Sequence, residues 1–227
     1  MNVRVARFLD GARSATGRAV IVDVFRAFTT AAFCVAAGAR EVVLLADHEE
    51  ALRMKREDPS LFLTGEIGGR PIEGFDVGNS PSAVLGLDLQ GRRVVQRTSS
   101  GTQGVVAAER AVEILLGSFV IAEATVRYLR ASSGRASSSD VTVVSMGERG
   151  ILESGEDDAC AGYIAARLRD ERPNVASIIA ALWENEDPAW PQWFPRRDAE
   201  LACEVDRFDF ALPVTREGPL LVARPWR

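Results

Sequence analysis

Apolar residues along this chain fall into short runs that alternate between strand-like and helix-like spacing. Val3 and Val5 alternate with polar neighbours across Met1–Phe8, the two-residue period of a half-buried strand. Arg18–Val24 reads RAVIVDV, a β-branched run of the kind that fills a buried strand. Ala27–Ala37 is small, apolar and long enough for a buried helix, and Gly38 supplies its stop. Glu41–Ala46 predicts another strand, after which Asp47 opens a helix with Glu50 placed as in a capping box. The apolar run Leu61–Thr64 then leads into GEIGGRPIEGFDVGNSP (Gly65–Pro81), which has neither period, and Ser80–Pro81 signals the next helix start. Further on, Arg92–Arg97 predicts a strand, Gly104–Leu116 an amphipathic helix, Ser118–Ala122 a short strand and Glu123–Ala131 a helix. Asp140–Met146 is strand-like and Glu156–Arg172 helical, while Phe208–Arg227 predicts one or two strands with a turn at Glu217–Gly218.

This alternation predicts an α/β fold, layered α/β/α, whose largely parallel or mixed sheet is covered on both faces. Residues 1–172 are expected to form the main catalytic body. Residues 173–227 would be a tryptophan-rich α+β extension packed on it, the whole making one compact domain. Trp183, Trp190 and Trp193 lie in this extension; packing onto the body explains them first, and a homo-oligomer interface second. Ser132–Ser139 (SSGRASSS) reads as a flexible loop.

Composition narrows the functional classes. A net charge of −5 gives no sign of a nucleic-acid partner. No apolar run reaches the roughly 18–20 residues that span a bilayer, and the N-terminus lacks the apolar core of a signal peptide. Cys34, Cys160 and Cys203 are odd in number and far apart, which suits reduced thiols in the cytoplasm. His48 is the single histidine, so two-histidine zinc motifs and phosphatases needing two histidines are excluded; it reads as a solvated residue in a helix's first turn.

Four segments can carry chemistry, each beyond a predicted strand, where α/β sheets bind ligands. In DVFRAFTT, Asp23 can ligate a metal or act as a nucleophile, and Arg26 can grip an oxyanion with two donors; alternatively Asp23 pairs with Arg26 or caps the helix. The long glycine loop offers Glu66, Asp76 and Asn79, hard oxygen donors of the kind Mg²⁺ takes, against the plainer reading of a surface connection. In RTSSGTQG, the hydroxyls and amides of Ser99, Ser100, Gly101 and Thr102 can cradle an anion or simply cap the helix. The fourth segment is Gly147–Gly150 followed by Glu156 and Asp157, where metal binding competes with a capping box on Ser154. Cys34 and Arg40 have the Cys-x5-Arg spacing of cysteine phosphatases. That chemistry needs an exposed thiolate at a helix start, and Cys34 reads as mid-helix core.

DVFRAFTTA, GEIGGRPIEGFDVGNSP, RTSSGTQG and EDDACAGYIAARL, in this order, resemble the 2-phosphosulfolactate phosphatases over roughly Ala19–Leu168. The resemblance implies a Mg²⁺-dependent phosphatase that converts 2-phospho-3-sulfolactate to 3-sulfolactate, a step towards coenzyme M. On this reading Asp23, Glu66, Asp76, Asn79, Glu156 and Asp157 are candidate metal ligands, not all of them direct. Asp23, Arg26 and Asp76 are the catalytic candidates. Arg26 and the Ser99–Thr102 backbone would hold the phosphoryl oxygens, and Arg70 or Arg149 the sulfonate or carboxylate. The chain departs from the family with Ser99-Ser100-Gly101-Thr102 where a Thr-Asn-Gly-Thr-like turn is common, and with Ile67 after Glu66 where arginine is frequent. Direct attack by water and a phosphoenzyme on Asp23 both remain open. A different class of function, a metal-free binding module for small phosphorylated or sulfonated acids, would use the same anion sites without turnover.

Overall fold

The computed structural model describes residues 1–132, 140–184 and 193–227. Strand β1 (Asn2–Arg7), helix α1 (Phe8–Ser14), β2 (Arg18–Val22), α2 (Ala27–Ala36), β3 (Glu41–Leu45), α3 (His48–Glu57) and β4 (Phe62–Ile67) come first. The glycine loop holds two short strands, β5 (Arg70–Pro71) and β6 (Val77–Gly78), before α4 (Pro81–Val84). Then follow β7 (Arg93–Arg97), α5 (Gly101–Ala107), β8 (Glu113–Gly117), a 3₁₀ turn at Phe119–Ile121, α6 (Ala122–Ala131), β9 (Asp140–Ser145) and α7 (Gly155–Leu168). Helices α8 (Val175–Glu184) and α9 (Arg196–Ala202) precede a hairpin of β10 (Leu212–Glu217) and β11 (Leu220–Ala223).

The strands form one mixed sheet in the order β1-β9-β2-β8-β10-β11-β3-β7-β4-β5, with β6 beside β4. Its two blocks are each parallel within themselves: β1, β9, β2 and β8 on one side, β3, β7 and β4 on the other. The hairpin lies between them, and every pairing it makes is antiparallel. Three antiparallel pairings in succession reverse direction three times, so the two blocks run oppositely. A flat sheet would therefore put their carboxyl ends on opposite edges.

The sheet is not flat. Neighbouring strands rotate by roughly 20–25° each, and over this many strands the twist accumulates. One face curls around two helices: Ile21, Leu44, Val94, Leu116 and Leu212 share a core with Phe28 and Ala31 of α2 and Val105 of α5. On the outer side, Val20 and Val143 pack with Val126 of α6 and Ile164 of α7, and Val43 and Val95 pack with Ala51 of α3. Both faces of β2 and β3 are thus covered, which is why RAVIV and EVVLL are buried throughout. The layered α/β/α expectation holds, with the inner helices enclosed by the curl.

Three features differ from the sequence reading. The helix expected over Gly104–Leu116 ends at Ala107, and Glu113–Gly117 is β8. Ala107–Arg110 favours a helix, but Ile114–Leu116 fill the slot between β2 and β10, and tertiary packing overrides propensity. Ser118–Ala122 is no strand; it contains the 3₁₀ turn. The C-terminal extension does not merely cover a finished body, since β10–β11 occupies the middle of the sheet. The flexible loop expected after Ser132, and Trp190, lie outside the described residues. None of the described helices is long and apolar enough to cross a membrane.

Candidate active site

Asp23 follows β2 where the chain turns into α2. Its Oδ1 accepts the Ala27 N–H at 2.9 Å. The other carboxylate oxygen faces Gly101 at the start of α5: a Cβ there would lie 2.8 Å from Oδ2 and 2.8 Å from the Ala27 Cβ. Only glycine lets these two helix starts approach so closely. Asp23 is buried, and desolvation pushes its pKa up to about 7; the charges of Glu66 and Glu156 push the same way, while the Ala27 and Gly101 amides push back.

Glu66, near the end of β4, is held on both oxygens. Oε1 accepts the Ser99 N–H at 2.5 Å, and Oε2 accepts the Gly69 N–H at 2.6 Å and the Ser99 hydroxyl at 3.1 Å. Asp157, in the first turn of α7, joins two further loops by accepting Val24 N–H at 2.7 Å and Gly147 N–H at 2.9 Å. Ser100 closes the circle, its hydroxyl donating to the Gly147 carbonyl at 2.6 Å. Glu156 lies beside them and accepts from the Ser154 hydroxyl. Burial raises the pKa of Glu156 and lifts that of Asp157 well above the usual range; neighbouring carboxylates add to the rise of each.

Asp23, Glu66, Glu156 and Asp157 therefore share one region at the carboxyl ends of β2, β4 and β9, with the loop after β7 laced through it. Among the described residues none of these four carboxylates forms an ion pair with arginine, lysine or histidine. Nor do three acidic, histidine or cysteine side chains among the described residues close into a ready-made metal cage.

Other expected site residues stand elsewhere. Asp76 makes contacts of its own: its carboxylate pairs with Lys55 at 3.0 Å and accepts the Leu63 N–H at 2.7 Å, near the start of β4. Its charge is spent on anchoring the returning loop. Asn79 is buried behind α2, its Oδ1 3.5 Å from the Gln96 amide nitrogen, which also donates to the Ala27 carbonyl. The Thr102 hydroxyl closes its own turn, accepting from Thr98 N–H and donating to the Thr98 carbonyl. The anion cradle expected of Ser99–Thr102 is turned inward. The Ser99 amide holds Glu66, the Gly101 amide faces Asp23 and the Thr102 amide bonds the Thr98 hydroxyl. Arg70 is exposed on β5, and Arg149, its side chain 63% exposed, reaches towards Gly68. Cys34 is buried inside α2 with its thiol pushed up to about 12, the inert state of a core cysteine.

Arg26 also departs from expectation. Its guanidinium is buried, pairs with Asp198 at 2.9 Å, donates to the Gly69 carbonyl at 3.2 Å and lies 4.4 Å from the Phe194 ring centre. Asp198, in α9, is fully buried and also accepts the Ser80 hydroxyl at 2.8 Å and the Ser82 N–H at 2.9 Å. Sequence reading missed Asp198 and Phe194, whereas Trp193 packs onto the body as expected, its ring against Gly69. No local pattern marks an aspartate whose partners lie more than a hundred residues upstream.

Comparison with known proteins supplies the family. The family model described as 2-phosphosulpholactate phosphatase matches residues 8–197. A Caldicellulosiruptor saccharolyticus protein is 35% identical over 159 residues, 69% of this chain and 64% of that protein. A Deinococcus radiodurans protein is 39% identical over 155 residues (66% and 61%), and one from Bacillus subtilis 30% over 164 residues (72% and 68%). Each bears the name "Probable 2-phosphosulfolactate phosphatase". The matched stretch spans less than two thirds of the first two relatives' lengths. A family model covering most of the chain, over the same segments that build the acidic site, leads to one assignment: the chain belongs to the 2-phosphosulfolactate phosphatase family.

Proposed function

We propose that this protein hydrolyses a small phosphate monoester in a Mg²⁺-dependent reaction, with 2-phospho-3-sulfolactate as substrate and 3-sulfolactate and phosphate as products. The observation that carries this reading is the set Asp23, Glu66, Glu156 and Asp157, brought together with no cationic partner among the described residues. Burying carboxylates without a counter-charge costs several kcal/mol per ion. Such a site is favourable once a cation enters it. Hard oxygen donors suit Mg²⁺, which keeps several waters and takes one or two carboxylates, so an open arrangement fits better than a closed cage.

Asp23 and Glu66 are the residues that would hold the ion, with Glu156 and Asp157 alongside; Glu66 and Asp157 each accept backbone amides on both oxygens and would use their remaining lone pairs. Bound there, Mg²⁺ would offset the phosphoryl charge and acidify a bound water. Everything else falls to the chain itself. Asp157 and Ser100 lock the loops after β2, β7 and β9 together, and the Ser99 and Gly69 amides fix Glu66. Arg149 and Arg70, exposed near the glycine loop, are the cations available to a sulfonate or carboxylate. In the reaction a water oxygen forms the new bond to phosphorus, the ester P–O bond breaks, and the departing oxygen takes up a proton. Three free thiols support a cytoplasmic setting.

The test is phosphate release from 2-phospho-3-sulfolactate and from 2-phospholactate, which lacks the sulfonate, with and without chelator. The expected result is release from the sulfonated ester that chelator abolishes and Mg²⁺ restores. Arg149→Ala should raise KM for the sulfonated ester more than for the other. Chelator-insensitive release, or none from either ester in Mg²⁺, would overturn the proposal.

A further inference from the structure

The Arg26–Asp198 pair is among the most deeply buried polar features of the molecule, with side chains 5% and 0% exposed. Asp198 belongs to the C-terminal extension, yet its carboxylate binds Arg26, Ser80 and Ser82, in the segments around the site. Through the Ser80 hydroxyl and the Ser82 N–H it holds the far end of the glycine loop, where α4 begins. Through Arg26 it reaches the near end, because the same guanidinium donates to the Gly69 carbonyl. Gly69 in turn gives its N–H to Glu66 Oε2.

The surroundings leave this connection little freedom. Gly69 has a φ of +85°, and a Cβ there would lie 2.4 Å from the Trp193 indole, so the ring sits directly on the glycine. Phe194 meets Phe25 edge-on at 5.6 Å between ring centres and lies beneath Arg26. A buried ion pair is weak evidence of added stability, since apolar residues of similar volume often serve as well. This one is placed so that its geometry fixes the loop that holds a site carboxylate.

From this connectivity we infer that Asp198 is a positioning residue for the site, acting through Arg26 and Gly69 on Glu66. It touches no reacting group itself. The inference rests on the phosphatase reading, so its test includes a readout that needs no turnover.

Asp198→Asn keeps the acceptor for Ser80 and Ser82 but removes the charge facing Arg26. Hydrogen exchange should accelerate in peptides covering residues 65–70 while peptides from β2 stay as protected as in the wild type. Turnover should fall about 10–100-fold, the usual effect of removing a partner that orients a ligand, with KM changed far less. Combining Asp198→Asn with Glu66→Gln should lower kcat no further than the worse single variant, because both act on the same carboxylate. Arg26→Lys, which cannot span both Asp198 and Gly69, should reproduce the exchange pattern if Asp198→Asn does not fold. Unchanged exchange at 65–70 in a folded variant, or multiplicative losses in the double variant, would overturn the inference. A wild-type protein that releases no phosphate, with faster exchange at 65–70 in Asp198→Asn, would refute the phosphatase reading and leave the mechanical link standing.

Discussion

Asp23 is a carboxylate whose folded environment opposes its ionisation, and this has a measurable consequence. Below pH 4 the group is protonated in both folded and unfolded chains and contributes no difference. As pH rises through the usual carboxylate range, the unfolded chain ionises first, while the folded one holds its proton up to about 7. The contribution of Asp23 to the stability of the metal-free protein should therefore fall between about pH 4 and 7, with Glu156 and Asp157 acting in the same direction. Asp23→Asn removes this penalty while keeping an acceptor for the Ala27 N–H. Its thermal midpoint in chelator at pH 8 should exceed that of the wild type, by an amount on the order of a few kcal/mol in stability, and the difference should shrink towards pH 4. A variant less stable than the wild type at pH 8 would refute the assignment of uncompensated charge. Asp23, Glu66 and Asp157 were legible in the sequence because acids beyond predicted strands are a local pattern. The roles of Arg26 and Asp76 were not, because their partners, Asp198 and Lys55, are set by tertiary contacts.

At the scale of elements, the β10–β11 hairpin has the most consequence for its size. Its Leu212–Val214 pairs with Ile114–Leu116 of β8, and its Leu221–Ala223 with Val42–Leu44 of β3, so among the described residues it is the link that joins the two parallel blocks in the strand order. Deleting residues 211–227 would expose two long, apolar strand edges at the centre of the sheet. Such a truncation should lose its cooperative thermal transition and elute as aggregate on size exclusion. A monomer that unfolds cooperatively would contradict the topology. The turn at Glu217–Gly218 could be read from composition, and the structure has it between β10 and β11. Where the hairpin would dock could not, since register depends on neighbours remote in sequence. For the same reason β8 was mistaken for a helix: its alanine- and glutamate-rich approach suits either state, and its neighbours decide.

For the whole molecule, the meeting of strand ends from two opposed blocks is the feature that makes a site. Alternation of strands and helices made the α/β class legible, and the expectation that strand-end loops converge rested on a single shared sheet edge. The loops of the two blocks do meet, but because the sheet curls around α2 and α5, bringing Gly101 against Asp23. Curvature of this kind is a property of the assembled sheet and leaves no mark on any one segment. The central claim is that these converged acids bind a cation, and calorimetric titration of chelator-treated protein with MgCl₂ at pH 8 tests it most directly. We expect one Mg²⁺ site in the wild type, lost or greatly weakened in Asp23→Asn and in Glu66→Gln, and retained in Asp76→Asn, whose carboxylate is paired with Lys55 elsewhere. Mg²⁺ binding that survives both Asp23→Asn and Glu66→Gln, or that disappears in Asp76→Asn, would contradict it.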